Sequence, residues 1–128
     1  MRWHKADLEI FTRGKGLYAF TSQVQDLLRS WQVQDGVCYL FIPHTSASLL
    51  ISENYDPTAR ADMGTFMERM VPEGQPWMTH TLEGPDDSTS HIRTMLSDVS
   101  LVIPVDGGKL NLGTWQGLYL FEHRLHPH

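Results

Sequence analysis

The sequence predicts one α+β domain, built from mixed or antiparallel β-sheet and a few helices. Its 128 residues have the length of a single domain, residues 1–128. Short β-rich runs separated by turn residues recur along the chain, and a few segments between them have helical spacing. Hairpins interspersed with helices favour antiparallel or mixed sheets over a doubly wound α/β fold.

The first strands and helix are predicted from hydrophobic spacing. Residues 6–10 alternate apolar and polar side chains, and residues 17–20 follow a glycine-containing turn, so the two segments predict a strand pair. Thr21 then stands where a helix N-cap belongs. Four apolar residues recur at helical spacing after it: Val24, Leu27, Leu28 and Trp31. We therefore expect a helix that ends near Gly36.

The middle of the chain predicts two strands and a helix. Residues 37–42 form a continuous β-rich run, which predicts a central strand buried on both faces and ended by Pro43. Residues 46–52 predict the next strand. Asp56 and Pro57 are typical of a helix start. The helix carries a stripe of Met63, Phe66, Met67 and Met70, which we interpret as core packing.

The last part of the chain predicts a short helix and three strands. Asp86 or Asp87 is expected to cap the helix. Residues 100–105 and 109–112 flank the turn signal Asp106-Gly-Gly, and residues 117–124 form the last strand. The predicted order is therefore ββα, ββ, αα, βββ.

Charge and composition exclude several classes of function. The net charge is −5 and the ten Lys and Arg residues are scattered, so a nucleic-acid partner is not expected. No apolar run reaches the roughly 18 residues of a membrane span. The first residues lack the pattern of a signal peptide, so we expect a cytoplasmic protein. Cys38, the one cysteine, lies in an apolar run and is interpreted as core packing.

Histidines are the candidates for a metal site. His44, His91 and His123 each lie at the end of a predicted strand or start of a helix, where a rigid element can aim an accessible side chain. Three imidazoles with one open position can bind a catalytic divalent cation, zinc or magnesium. His80 is a reserve candidate. Because no short His-X-His-type spacing joins them, the fold must assemble the site, and a structural role is equally open for each.

Carboxylates and hydroxyls supply further candidates. The adjacent Asp86 and Asp87 repel each other unless a cation, an arginine or a proton lies between them, which suggests that they bind a metal or a substrate cation or act as a general base. We expect Asp86, Asp87 and His91 to be the catalytic residues. Trp115 could stack on a substrate ring, although a core position is the commoner one for such a tryptophan. The remaining candidates for binding a phosphorylated metabolite are hydroxyls and one cation: Thr45, Ser46, Ser88, Thr114 and Arg124.

Several longer motifs make the sequence similar to the YjbQ family, also called UPF0047. They are His44-Thr-Ser-Ala-Ser-Leu, Glu53-Asn54 with Asp56-Pro57, Glu83-Gly-Pro-Asp-Asp, His91-Ile92, and residues 112–124 with Gly113-Thr-Trp-Gln-Gly and Glu122-His-Arg. The resemblance covers nearly the whole chain. One departure is Ser88-Thr-Ser, where many relatives have a Met-Pro-Ala-like stretch.

The resemblance implies a sandwich-like β core, a homotrimer and a metal held by His44, His91 and His123, with His80 also matching a family histidine. It places Glu53 and Asn54 with the substrate-binding residues. It further implies a low, secondary thiamine-phosphate synthase activity, which joins hydroxymethylpyrimidine diphosphate to a thiazole phosphate. The alternative is a metal-dependent metabolite-binding or regulatory module in which that activity is incidental.

Overall fold

The computed structural model describes residues 1–126, which form three helices and six strands. In chain order they are β1 Gly16–Ala19, α1 Thr21–Ser30, β2 Gly36–Phe41, β3 Ala47–Glu53, α2 Pro57–Met70, α3 Asp87–Met95, β4 Ser100–Asp106, β5 Lys109–Leu110 and β6 Gln116–Glu122. The α+β prediction is confirmed, and the element order matches the predicted one from β1 onward.

Two antiparallel three-stranded sheets face each other. One has the order β1-β6-β3 and the other the order β2-β4-β5. Leu49 and Leu118 of the first sheet pack with Leu101 and Ile103 of the second, and all four are at most 6% exposed. Helix α2 covers the other face of the first sheet, where the Arg60 guanidinium donates to the Tyr119 hydroxyl, and α3 packs against β3. The first sheet is therefore buried on both faces.

The second sheet is covered on one face only, which corrects the prediction for residues 37–42. Strand β2 is an edge strand that pairs with β4 alone. Cys38 and Leu40 pack against the core, whereas Val37, Tyr39 and Phe41 are 59% to 71% exposed. A β-rich run therefore does not by itself require two buried faces, because β-branched and aromatic residues can also occupy the outer one.

The predicted strand over residues 6–10 is wrong as well. That segment pairs with no strand within residues 1–126, although Thr12, just after it, is buried against Glu122. Alternation predicts which side chains of a strand would face the core. It does not show that a neighbouring strand is available to complete the backbone hydrogen bonds of the segment.

The helices agree with prediction in part. Helix α2 begins as expected, because the Asp56 carboxylate accepts a hydrogen bond from the Thr58 amide at 2.9 Å. Of its apolar stripe, Met67 is buried, but Phe66 and Met70 are more than half exposed and do not belong to the core. None of the helices within residues 1–126 is both long and apolar enough to cross a membrane.

The acidic pair before α3 does not cap the helix. Asp86 occupies the N-cap position, but its side chain makes no capping hydrogen bond, and Asp87 is already the first helical residue. Both carboxylates are nevertheless buried, each 5% exposed. Their partners lie elsewhere in the chain.

Candidate functional site

Two histidines converge on one carboxylate at the start of α3. His80 Nε2 lies 2.7 Å from Asp87 Oδ2, and His91 Nε2 lies 3.1 Å from the same oxygen. The three possible ligand atoms lie within 4.8 Å of one another. Asp87 and His91 are four residues apart on α3, so they share a helix face. His80 reaches the group from the loop before the helix.

The second nitrogen of His91 determines which tautomer the neutral ring adopts. His91 Nδ1 lies 2.8 Å from the Thr45 carbonyl oxygen, which can only accept, so Nδ1 carries a proton. In a neutral ring Nε2 then presents a lone pair to the Asp87 carboxylate. Two lone pairs at 3.1 Å repel each other unless a proton or a metal cation lies with them. The arrangement is therefore suited to binding a cation.

Arg124 donates hydrogen bonds to the carboxylates of both Asp86 and Asp87. Arg124 Nη1 donates to Asp87 Oδ1 at 2.9 Å, and its Nε and Nη2 donate to Asp86. The Leu125 amide also donates to Asp86 Oδ2 at 3.0 Å. Burial acts to raise the pKa of Asp86, but these hydrogen bonds hold it below its usual value.

The pKa of Asp87 is also lowered. Burial acts to raise it, and the hydrogen bond from His80 together with the charges of His91 and Arg124 outweighs that effect. Asp87 is thus an anion with one oxygen committed to Arg124 and the other facing two imidazoles. Oδ2 is therefore the oxygen that would bind a cation, which would take the place of the proton that His80 shares with it.

The donor set fits a divalent metal ion. Two imidazole nitrogens and one carboxylate oxygen are ligands that zinc binds, and three protein ligands leave a position for water or substrate. Neighbouring ligands in a tetrahedral zinc site lie about 3.3 Å apart. The His91 separation of 3.1 Å is close to that value, whereas the His80 separation of 2.7 Å is a hydrogen-bond distance and would lengthen on metal binding. The Thr45 carbonyl holds the His91 ring in the way that outer hydrogen-bond partners commonly orient metal-binding histidines.

Of the three histidines expected to bind the metal, only His91 is in this cluster. His44 Nδ1 accepts a hydrogen bond from the Ser46 amide at 3.0 Å. His123 is 1% exposed, and its Nε2 lies 2.9 Å from the Ser48 hydroxyl. Metal binding by His44 and His123 stays a prediction, whereas the structure places the reserve candidate His80 beside His91.

The environment of His123 makes a prediction about stability. Burial, and then the charges of Arg93 and Lys15, lower the pKa of His123 to about 3 from the ordinary 6.5. Folding therefore favours the neutral ring, and the stability that this ring contributes is complete above pH 6.5 and is lost as the pH falls toward 3. Between pH 6 and pH 4 the loss should be about 2.5 kcal/mol.

Urea unfolding of the protein and of His123→Gln at pH 6, 5 and 4 measures this loss. The free energy of unfolding of the variant should fall less steeply, because glutamine does not titrate. Parallel declines would contradict the assignment, since the other titrating groups are common to both proteins.

A second set of predicted substrate-binding residues lies far from the cluster. Glu53 pairs with Gln116, whereas Ala47 pairs with Glu122 at the other end of the same two strands. Six residues along a strand span about 20 Å. The residues at the distant end are Glu53, Asn54, Thr114 and Trp115. One chain therefore does not bring them to the His80 cluster.

The distant residues have structural partners of their own. The Glu53 carboxylate accepts hydrogen bonds from the amides of Tyr55 and Asp56, which fixes the turn before α2. Asn54 Nδ2 donates to the Gln116 carbonyl at 3.2 Å. Trp115 is 56% exposed rather than in the core, and its ring meets that of Tyr55 edge to face. Ser88 is half-buried next to Asp87.

The sequence predicts a catalytic role for Asp87 and a cation held by Asp86 or Asp87, but it does not group Asp87 with His80 and His91. The available signal was the spacing of Asp87 and His91, since residues four apart lie on one face of a helix. No local signal pointed to His80, because it reaches the cluster from an irregular loop. Such a residue is brought to a site by tertiary structure alone.

Comparison with known proteins identifies the family. Residues 6–127 match the family described as UPF0047 protein YjbQ-like. The UPF0047 protein sll1880 of Synechocystis sp. is 45% identical over 127 residues, covering 99% of this chain and 86% of the relative. YjbQ of Salmonella typhimurium is 41% identical over 125 residues, covering 97% and 90%.

Solved structures agree with these sequence relatives. The conserved hypothetical protein TT1486 of Thermus thermophilus has a TM-score of 0.82 at 32% identity, covering 94% of this chain and 93% of that one. A YjbQ/UPF0047 family protein of Clostridium acetobutylicum has a TM-score of 0.83 at 32% identity, covering 90% and 87%. The chain therefore belongs to the YjbQ/UPF0047 family.

Proposed function

We propose that the protein is a divalent-metal-dependent enzyme acting on a small phosphorylated metabolite, with a low, secondary thiamine-phosphate synthase activity. The observation that carries the proposal is the convergence of His80 Nε2 and His91 Nε2 on Asp87 Oδ2, with His91 Nδ1 already committed to Thr45. Two imidazoles favour zinc, while magnesium prefers oxygen ligands. The cation is expected to be zinc for that reason.

The proposed reaction transfers a pyrimidinylmethyl group. The bond between the pyrimidine methylene carbon and the diphosphate oxygen breaks, and diphosphate leaves with the electron pair. The thiazole nitrogen then donates its lone pair to that carbon and forms the new C–N bond. A bound divalent cation supplies neutralisation of the charge that develops on the leaving diphosphate.

The chain's own residues prepare this step. His80, Asp87 and His91 would hold the cation, and the hydrogen bond to the Thr45 carbonyl keeps the His91 ring oriented with Nε2 toward Asp87. Arg124 donates to Asp87 Oδ1, so Oδ2 is the oxygen that would bind the cation. None of these residues needs to transfer a proton, because the thiazole nitrogen attacks as a neutral lone pair.

The test is release of diphosphate from hydroxymethylpyrimidine diphosphate and the thiazole phosphate, with thiamine phosphate as the joined product. Zinc-loaded protein should release diphosphate, and protein stripped with a chelator should not until zinc is restored. Release at the same rate from stripped protein would contradict a metal-dependent reaction.

One observation favours the alternative of a metabolite-binding or regulatory module. All three guanidinium nitrogens of Arg124 donate to Asp86, Asp87 or the Glu83 carbonyl, so the guanidinium has little capacity left for a diphosphate. A physiological ligand at a hundred times its dissociation constant should stabilise the protein by about 2.7 kcal/mol. A thermal-shift screen in which only the pyrimidine and thiazole phosphates act would reject this alternative.

We also propose that the protein is a homotrimer. The isolated chain exposes 8513 Å² at a mass of 14.6 kDa, whereas a compact monomer of that mass exposes about 6,900 Å². A ring of three, in which each copy has two half-interfaces of the standard size of about 800 Å², would bury an area of the order of this difference. The outer face of the β2-β4-β5 sheet offers apolar side chains to bury: Val37, Tyr39, Phe41 and Val102.

Light scattering on purified protein should give the mass of three chains, and a monomer mass would reject the trimer. A trimer would also allow the distant Glu53 end of one copy to approach the His80 cluster of another.

We further propose that the protein is cytoplasmic, because a free thiol such as Cys38 stays reduced in that compartment.

A further inference from the structure

The outer face of α2 carries apolar side chains that the described part of the chain leaves uncovered. The inner face of the helix packs on the first sheet, and Met67 is buried there. On the outer face Phe66 and Met70 are 57% and 56% exposed. They are four residues apart, so the two side chains are neighbours on the helix surface. Adjacent large apolar side chains on an exposed helix face favour contact with another protein surface.

A shallow depression of about 450 Å³ lies beside these two side chains. The residues that line it all belong to α2: Asp62, Thr65, Phe66, Arg69 and Met70. No other element within residues 1–126 lines the depression, so it opens outward from the helix. Helices commonly pack by inserting a side chain of one into such a hole on the other.

Two opposite charges flank Phe66 on this face. Asp62 lies four residues before Phe66, and Arg69 lies three residues after it. Both charged side chains are exposed, and neither forms an ion pair within residues 1–126. Seven residues are two helical turns, or about 10.5 Å along the axis, which is beyond the direct contact that residues three or four apart can make. The two charges therefore share a face without neutralising each other.

The order of these groups along the helix is self-complementary. Two copies of α2 can pack antiparallel about a two-fold axis that passes through the midpoint between Asp62 and Arg69. Asp62 of each copy then lies at the same height as Arg69 of the other copy, because a two-fold contact repeats every pair. The midpoint falls between Thr65 and Phe66, so the two Phe66 rings meet beside the axis. One arrangement thus pairs both charges and covers both rings.

We propose that the outer face of α2 is a two-fold contact between two copies of this chain, with Asp62 of each copy paired with Arg69 of the other. The contact leaves the outer face of the β2-β4-β5 sheet free, because α2 lies on the opposite side of the β1-β6-β3 sheet. It therefore doubles the unit that is present, from one chain to two or from three chains to six. One helix face buries less than a standard interface of about 1,600 Å², so association should be weak and should increase with concentration.

Sedimentation equilibrium over a range of micromolar concentrations measures this association. Asp62→Arg places two arginines opposite each other, and Arg69→Asp places two aspartates opposite each other. When the two variants are mixed in equal amounts, every position again faces the opposite charge. Asp26→Arg is the matched control, since the Asp26 side chain is 70% exposed on α1, away from this face.

The mass of the wild-type protein and of Asp26→Arg should rise with concentration toward twice its value at low concentration. Each α2 variant alone should need at least about tenfold more protein to associate, because two exposed ion pairs are lost and replaced by repulsion. The equal mixture should associate like the wild type. Recovery in the mixture also shows that both variants are folded. Phe66→Ala should weaken association as well, because it removes the apolar part of the contact.

A wild-type mass that stays constant over the whole range would overturn the proposal. Unchanged association in both charge variants would overturn it too, and so would a mixture that stays apart as each variant does alone. The mass at low concentration tests the trimer, and the rise above that mass tests the α2 contact. The two assembly proposals therefore fail separately, and neither depends on diphosphate release.

Discussion

Replacing His91 with alanine should abolish metal binding and diphosphate release while leaving the fold intact. The His91 side chain is 37% exposed on the surface of α3, so its removal opens no cavity in the core. It supplies one of three possible ligand atoms, and Asp87 lies beside it. Loss of an outer partner of a metal site typically costs 10- to 100-fold in affinity, and loss of a ligand should cost more than about 100-fold.

Three measurements test this expectation. Metal content after dialysis reports metal binding, diphosphate release reports activity, and far-ultraviolet circular dichroism reports the fold. His4→Ala is a matched control, because His4 is exposed and stacks on Trp31 at a ring distance of 5.1 Å, away from the cluster. Equal zinc content and activity in His91→Ala would remove the proposed site.

The same measurements decide between two ligand sets. The geometry expects zinc binding to be lost in His80→Ala as in His91→Ala, and to be retained in His44→Asn. The set implied by family resemblance, in which His44 and His123 bind the metal, expects loss in the His44 variant. Because His80 belongs only to the first set and His44 only to the second, one pair of variants is decisive.

The fold was largely predictable because its elements carry local signals. The cap at Asp56, the turn after Asp106 and the helical spacing in α1 each reflect interactions between residues close in sequence. The wrong predictions concern which neighbouring elements pair with or pack against a strand. Nothing local distinguishes an edge strand such as β2 from a central one, because exposure is determined by which strands pair.

The site was less predictable for the same reason. Asp87 and His91 are one helical turn apart, so their proximity could have been derived, but the arrival of His80 and Arg124 depends on a loop and on the end of β6. The repulsion of Asp86 and Asp87 did indicate that a positive charge must lie near. No local pattern in the sequence indicates that Arg124 supplies the positive charge for both carboxylates.

Replacing Arg124 with methionine should therefore cause the largest loss of stability, about 3 kcal/mol. Removing one partner of a buried ion pair typically costs 3–5 kcal/mol, because the remaining charge keeps its desolvation penalty. The lower end of that range applies because the Arg124 side chain is 14% exposed. Arg29→Met is the control: its ion pair with Asp26 is exposed and should contribute less than about 0.5 kcal/mol.

The pH dependence separates this mechanism from a loss of packing. With Arg124 present, the lowered pKa values of Asp86 and Asp87 contribute stability above the unfolded value near 3.9, and that stability is lost as the pH falls through the folded values. Without Arg124, burial and the repulsion between the two carboxylates should raise both pKa values. The variant should then gain stability as the pH falls, because protonation neutralises the buried carboxylates. The difference in unfolding free energy between the two proteins should therefore narrow from pH 7 to pH 4.

Asp86→Asn in the Arg124→Met background should recover part of the loss at pH 7, because it leaves a single buried charge. A difference that is constant with pH, or no recovery in the double variant, would mean that Arg124 stabilises the chain through its apolar stem and not as the counter-ion of the acidic pair.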